Sequence, residues 1–589
     1  MKPAPRRWQI SDAAPLAGHP PLLGRVLAAR GHDGVSAAAF LDPLVAFHDP
    51  AGLRGMDAAV AVVGAAIRAR QRIAVYGDYD ADGVTACAML SRSLRAAGVD
   101  TVPYIPNRMN EGYGLHGAAL AELHAQGVGC VITVDCGTSS VDVAAARPAG
   151  MSLVVTDHHL PLAPGGAPPA LASADALINP KQPGCDYAFD GLAGAGVAWK
   201  LLCALEAAGL VADGSAEDAL GLAALGTVAD MMPLRGENRL IVQRGLPRLR
   251  DHPGIRALCQ VAGLGAVLRA SDLGFGIGPR INAAGRMEDA RLALDLCLCD
   301  DDEAAVALAA RLDAQNRARQ QAVAVAMVEA EAMVEQLPDD APAIVLGSPD
   351  WPMGIVGLVA GRLSERYARP SFIVCLDPAE AKGSARSTAG VHIVEALGGA
   401  ASTLIRYGGH RVAAGFSLAA PRFDDFSRAV SAAVAAQLGD APRERVVAID
   451  GDITSAECIP ATCDMLDGLE PCGMGNASPV LALRDCTVLS TTAFGAESQH
   501  LRMALKDDGG LVEAIAFFKP QLAAHLPRGR RVDACVALER DEWQGQVRVR
   551  ARLRDIRPAR PAAILEVSGT PIARGAVTAQ PPGAQPTAG

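Results

Sequence analysis

The 589-residue sequence predicts an α/β protein with an open parallel sheet in a first domain, a smaller second α/β domain joined to it by a long helix, and a small β-barrel after that. Three observations carry this reading. Short β-branched runs alternate with helix-like segments from Met56 onward. The stretch from Asp301 to Gln336 is rich in Ala and charge and contains no Gly or Pro, as a helix bridging domains would be. From Arg445 the texture changes to short alternating segments.

Length sets the frame, since about 150 residues per domain makes this a chain of about three or four domains. The expected divisions are an N-terminal segment over 1–55, a catalytic domain over 56–300, a connecting helix over 301–340, a second domain over 341–440, a barrel over 445–560 and a disordered tail over 561–589. The first segment is rich in Pro, Gly and Ala and shows no recognisable chemistry. No run of about 18 apolar residues occurs, and the start lacks the apolar core of a signal peptide, so a soluble cytoplasmic protein with no membrane segment is expected. The 14 cysteines form no CxxC pair, Cys297 and Cys299 being the closest, and read as reduced small hydrophobes. A net charge of −10 argues against nonspecific coating of nucleic acid, which relies on Lys and Arg, and leaves room for a local basic groove.

In the first domain a helix-like Met56 to Ala69 precedes the strand Ile73 to Tyr76, the loop Asp78-Tyr79-Asp80-Ala81-Asp82-Gly83 and a helix-like Val84 to Ala97. The run Cys130 to Val134 ends at Asp135, and Leu153 to Thr156 ends at Asp157-His158-His159. A further apolar run, Leu222 to Asp230, reads as a fourth such strand end. In open parallel sheets the C-terminal edge forms the ligand crevice, so these acids and imidazoles should converge.

Three acids as close as Asp78, Asp80 and Asp82 repel one another unless cations share them. The hexapeptide also opens a calcium EF-hand loop, but the twelfth position, which needs a glutamate, is Met89, and a strand precedes it where a helix should. Carboxylates with a few imidazoles suit manganese or magnesium. Asp80, Asp82, Asp135, His158 and Asp230 suffice for two ions if Asp135 bridges them. Two ions about 3.5–4 Å apart clamp the attacking and leaving oxygens of a phosphoryl displacement, which fits phosphoester or phosphoanhydride hydrolysis. The bland alternative for His158-His159, polar residues closing a strand, is outweighed by the acid before them and the two other acidic strand ends.

In the second domain Ala343 to Gly347 and Ser371 to Cys375 read as strands, Gly354 to Arg366 as a helix, and Gly383 to Ser387 and Gly408-Gly409-His410 as Gly-bearing loops. In the third, Val532 to Leu538, a Gln544-Gly545-Gln546 turn and Val547 to Ile556 form a hairpin with Arg548, Arg550, Arg552 and Arg554 on one face. Trp543 and Phe517-Phe518 are the local aromatics that could stack bases, the Phe pair being equally suited to a core. Gly191 to Gly196 has the wrong Gly spacing for a dinucleotide fingerprint and reads as a loop-to-helix junction.

The segments GDYDADG, TVDCG, VVTDHH and ALGTVAD occur in this order and together resemble motifs I to IV of the DHH phosphoesterase superfamily. Within it, IPNR with EGYGL, GPRINAAGRM, GSARS, RYGGH and the Gly473-Met474-Gly475-Asn476 signature resemble the bacterial RecJ exonucleases, over roughly residues 50 to 560. The resemblance implies a DHH domain, a DHHA1 domain beyond the long helix and an OB-fold barrel. It implies a 5′ to 3′ exonuclease acting on single-stranded DNA with two Mn2+ or Mg2+ ions, in repair and recombination.

By matching positions, Asp80, Asp82, Asp135, His158 and Asp230 would hold the ions, Asp78 and Asp157 would be ligands or their neighbours, and His159 would face the scissile phosphate. Ser384 and Arg386 would bind the 5′-phosphate, and Arg108, Arg280, Asn282, Arg286 and His410 would grip the backbone near the cut. Tyr76 stands where many superfamily members have a histidine, so the resemblance leaves open whether Asp78 binds the first ion in its place or stands beside its ligands. A monomer working with single-strand-binding protein and a helicase is the expected setting. Two alternatives stay open: a DHH phosphodiesterase acting on oligoribonucleotides or cyclic dinucleotides, and a nucleic-acid-binding module with a retired site.

Overall fold

A computed structural model describes residues 1–42, 44–108, 111–162, 168–439, 443–543 and 546–559. The tail over 561–589 and the Gln544-Gly545 turn fall outside the described residues, as does the Trp543 side chain.

The first sheet has five parallel strands in the order Thr101–Tyr104, Arg72–Tyr76, Val128–Val134, Ser152–Thr156, Ala176–Ile178. Its central strands are apolar on both faces because both are covered. Ile73, Val75, Ile132 and Val154 enter one core, while Ala74, Tyr76, Val131 and Val155 enter another. The alternation with period two therefore separates two helical layers rather than core from solvent.

The helix Asp302–Glu335 opens with the Asp301 carboxylate accepting from Ala304 N and runs 34 residues without a breaker. Ala305, Ala309 and Leu312 at its start pack into the first domain's core, and Val323, Ala326, Ala330 and Val334 at its end pack into the second's. One helix is thus built into two cores, which ties the domains' relative position to its length.

The second domain's sheet runs Arg406–Gly409, Ala413–Leu418, Ala381–Arg386, Ser371–Cys375, Ile344–Ser348. Two segments expected as loops are strands here. Gly383 to Arg386 lies in Ala381–Arg386, paired antiparallel with strands on both sides, and the Phe416 ring covers Gly383 so closely that a Cβ would sit 2.3 Å from it; Gly408-Gly409 ends the edge strand.

The barrel closes through Leu481–Phe494, which pairs with both His500–Asp507 and Arg531–Trp543, and the predicted hairpin is Arg531–Trp543 with Gln546–Pro558. A bulge at Arg554 interrupts the expected arginine alternation. The N-terminal segment is more than a featureless leader. Arg6–Ile10 pairs in parallel with Arg445–Ile449, and Leu22, Leu23, Val26, Leu27 and Ala37 complete the barrel's core. Among the described residues no helix is long and apolar enough to cross a membrane.

Candidate metal centre and substrate cleft

Three neighbouring strands deliver the acids as expected, and the fourth arrives differently. Asp230 caps the C-terminus of the helix Ser215–Ala229 rather than ending a strand. The run Leu222 to Ala229 is apolar but for Thr227, whose hydroxyl donates to Ala223 O, because that helix is buried on nearly all sides, and such a run cannot be told from a buried strand by periodicity.

Ligand atoms of Asp78, Asp80 and Asp135 lie within 4.8 Å of one another, as do those of Asp82, His158 and Asp230, and those of Asp135, His158 and His159. Asp135 and His158 each belong to two sets. His158 Nε2 lies 3.1 Å from Asp135 Oδ1, 3.6 Å from Asp230 Oδ2 and 3.9 Å from Asp82 Oδ2. Asp135 has φ +62, a cost that local structure sustains at functional sites.

The loop is held from outside. Asp80 caps the helix Ala81–Ala96 by accepting from Asp82 N and Gly83 N. Both Asp82 oxygens accept backbone N–H groups, from Gly194 at 2.7 Å and Ala195 at 2.8 Å, at the start of the helix Gly194–Ala207. That junction is the Gly-rich segment with no dinucleotide fingerprint. Gly194 is needed there, since a Cβ would sit 2.5 Å from Asp135 Oδ1.

The acids' electrostatics follow from enclosure. Burial, followed by the charge of Asp80, lifts Asp78 well above the usual carboxylate range and Asp82 to about 7. Burial and the charge of Asp82 likewise raise Asp135 and Asp230. Asp78 Oδ1, Asp135 Oδ1 and both ring nitrogens of His158 are buried without a hydrogen-bond partner. Buried polar atoms without partners are uncommon, and an acid-and-imidazole set with open lone pairs fits divalent cations.

Asp157 is different. It accepts from His158 N, His159 N, His159 Nδ1 and Thr138 N, at 2.7 to 3.1 Å. Burial opposes its charge, yet the His159 hydrogen bond and the other donors outweigh it and hold the carboxyl well below its ordinary value. Its oxygens hold the loop that carries the two histidines. His159 Nδ1 also lies 3.0 Å from Tyr113 Oη. Burial disfavours its imidazolium, but Asp157 prevails and raises its pKa. Burial followed by His159 lowers that of His158, which suits a neutral ligand. Tyr76 is buried, stacks on Tyr104 and donates to Gly114 O at 3.0 Å, so it closes the strand as core and leaves Asp78 at the rim.

Across the cleft, arginines converge from both domains. Burial followed by the charges of Arg108, Arg319 and Arg386 lowers Arg286 to about 10, and burial followed by Arg108 lowers Arg386. Arg386 Nη1 donates to Ser384 Oγ at 2.9 Å, and Arg108 sits 4.9 Å from the centre of the Tyr79 ring. His410 stacks on His159 at 6.3 Å between centroids, which places the second domain's edge over the imidazole. Two expected members are engaged elsewhere. Arg280 pairs with Asp313 at 2.9 Å and donates to Gly276 O, and Asn282 Oδ1 accepts from Ala81 N at 2.8 Å, holding the acidic loop.

Two residues escaped sequence reasoning. Lys181 Nζ donates to His158 O at 2.6 Å just beyond the strand Ala176–Ile178, so the strand-end rule would have found it had three residues been read as a strand. Arg319 lies mid-helix, where only its spacing from the buried Asn316, which accepts from it, signals a role. On the barrel, Phe518 is exposed rather than core, and both Phe517 and Phe518 meet the His500 ring edge-on. Arg552 pairs with Glu539 at 3.1 Å and lies over Phe517.

Comparisons agree with this architecture. Residues 72–227 match the DHH family N-terminal domain, 330–436 the DHHA1 domain and 449–555 the RecJ OB domain. Sheet, acid rim and helix-linked second domain define the class: a DHH protein with a DHHA1 partner domain and a terminal barrel. A Bacillus subtilis protein named single-stranded-DNA-specific exonuclease RecJ is 34% identical over 544 residues, covering 91% of this chain and 68% of its own length. The Salmonella typhimurium protein of the same name is 35% identical over 583 residues, covering 94% and 99%. The crystal structure of RecJ in complex with Mn2+ from Thermus thermophilus matches with a TM-score of 0.80 at 31% identity, covering 94% of this chain and 80% of that one. The chain belongs to the RecJ family.

Proposed function

We propose that this protein is a 5′ to 3′ exonuclease that hydrolyses single-stranded DNA, using two Mn2+ or Mg2+ ions. The observation that carries this is the chain of ligand sets linked through Asp135 and His158, whose Oδ1 and Nε2 lie 3.1 Å apart, opposite an arginine cluster assembled from two domains. Asp78, Asp80 and Asp135 would hold the first ion, and Asp82, Asp135, His158 and Asp230 the second. Such ions, when bound, activate water and neutralise charge on the phosphoryl oxygens.

The chain's own residues do the rest. Asp157 and Tyr113 engage His159 Nδ1, so Nε2 is the atom offered to the scissile phosphate. The hydrogen bond to Asp157 favours the charged imidazolium, a donor suited to a phosphate oxygen. Arg386 and Ser384 combine a guanidinium fork with a hydroxyl and fit a terminal phosphate dianion, which would set both polarity and product length. Arg108 and Arg286 flank the same path, and His410 covers it from the second domain. A passage between two domains fixed by one helix excludes duplex by width rather than by sequence.

The reading carries with it a cytoplasmic monomer in DNA repair and recombination, acting beside a helicase and single-strand-binding protein. Its test is digestion of 5′- and 3′-labelled single- and double-stranded DNA and RNA with manganese, magnesium or EDTA. Mononucleotides should appear first from the 5′ label of single-stranded DNA and only with an ion. Preferential attack on short RNA, or release from the 3′ end, would sink it.

A further inference from the structure

The Gly473-Met474-Gly475-Asn476 segment is left unused by the catalytic reading, and it lies against the chain that leaves Asp230. Leu234 N donates to Met474 O at 2.8 Å, and Arg235 Nε donates to Gly475 O at 2.9 Å. Leu234 is buried beneath Gly473, where a Cβ would sit 2.7 Å from its Cδ1. Gly475 has φ +69, and a Cβ there would sit 3.0 Å from that of Pro233, so the position is closed to other residues on two counts. The segment is a tight turn, with Gly473 N donating to Asn476 O at 2.8 Å.

It is braced from behind by groups of three regions. Asn476 Nδ2 donates to Leu469 O and Pro471 O, both at 2.9 Å, and its Oδ1 accepts from Arg30 of the N-terminal segment. Arg239, from the first domain, donates to the carbonyls of Gly468, Leu469 and Pro471.

Asp230 has reason to need such a brace. Its side chain is 28% exposed, whereas those of Asp82, Asp135 and His158 are 0, 3 and 6% exposed. It caps a helix, and the next residue, Met231, takes φ +58, a left-handed turn that a non-glycine residue holds at a cost. The direction of the chain after that turn is set at residues 233–235, where the barrel's segment grips it.

We infer that the Gly473–Asn476 turn is a positioning element for Asp230, through which the junction with the barrel domain sets the affinity of the second ion. This rests on the reading of Asp230 as a ligand of that ion.

The test is titration of the full-length protein, without DNA, with Mn2+ followed by calorimetry and by the electron paramagnetic resonance of free and bound manganese. Gly475→Val and Arg235→Ala should each weaken the second ion by about tenfold, the scale at which groups supporting metal ligands act, and leave the first unchanged. Arg484→Ala breaks pairs with Asp452 and Asp533 within the barrel and should leave both ions as in the wild type. Unchanged affinity in the two clasp variants overturns the inference, and so does equal weakening by Arg484→Ala, which would show general loosening. If Gly475→Val does not fold, Arg235→Ala decides alone, since it removes a contact made by one side chain. Asp230→Ala separates the premise: if it binds both ions normally, Asp230 is no ligand, whereas loss of the second ion in it alone leaves the ligand reading standing and removes the clasp.

Discussion

The ends of two adjacent strands, Val128–Val134 and Ser152–Thr156, each present a buried aspartate, and the two carboxylates have opposite electrostatics. Asp135 has an oxygen without a partner and is raised by burial and by Asp82, whereas Asp157 receives four hydrogen bonds and is lowered despite burial. Burial is the same in kind at both, so supply of donors decides. The acid left without donors is available to cations, and the acid saturated by donors is available only to hold its neighbours.

The largest test of this contrast is Asp135→Ala. Removing the residue common to both ion sets should lower single-turnover cleavage by at least about a thousandfold, or roughly 4 kcal/mol of transition-state stabilisation, with single-strand binding retained. A variant that still cleaves would separate Asp135 from the ions. Asp157→Asn should cost roughly 10–100-fold, because it disturbs an orienting group rather than a ligand. Its pH profile should also shift. His159 is raised by Asp157, so its protonated form persists below the raised pKa and is lost as pH climbs through it; in the variant that limb should move to lower pH, and an unmoved limb would detach Asp157 from the titration.

Opposite the acids, Arg386→Ala should lower preference for a 5′-phosphorylated end by roughly tenfold, the scale of one charge-assisted hydrogen bond. Equal rates on phosphorylated and hydroxyl ends in the parent protein would refute the pocket. Asp78, Asp82, Asp135 and Asp230 share a sign with a thermal consequence. Their folded pKa values lie above the ordinary 3.8, so ionising them costs the metal-free fold stability as pH rises from that value toward about 7, where Asp82 titrates. The melting temperature in EDTA should fall between pH 5 and 7, within that window, and Mn2+ should restore more at the upper end. The smallest effect on DNA handling belongs to Arg280→Ala. Because Arg280 is paired with Asp313, it should cost about 1–3 kcal/mol of stability and leave DNA affinity nearly unchanged.

Much of this was legible in the chain. Strand ends are local: a short apolar run followed by an acid announces itself, and Asp78, Asp80, Asp82, Asp135, His158 and His159, singled out that way, lie together in the fold. Asp230 was found with the wrong element beneath it, since a helix buried all round hides its period. Lys181 and Arg319 were missed because a three-residue strand and a mid-helix arginine carry almost no local signal. Arg280 and Asn282 show the reverse case, in which polar residues in a promising motif are spent on Asp313 and Ala81.

Sequence alone determined the order of domains, the bridging helix and the identity of the acids, because periodicity, breakers and residue chemistry act over a few residues. Tertiary structure decided which acids have donors and which do not, which arginines meet, that the N-terminal strand finds its partner at Arg445–Ile449, and that the Gly473–Asn476 turn meets the exit from Asp230. Those outcomes depend on the approach of groups far apart in the chain. Hydrogen bonding and desolvation act through space at a few ångströms, and only the packed fold sets those distances.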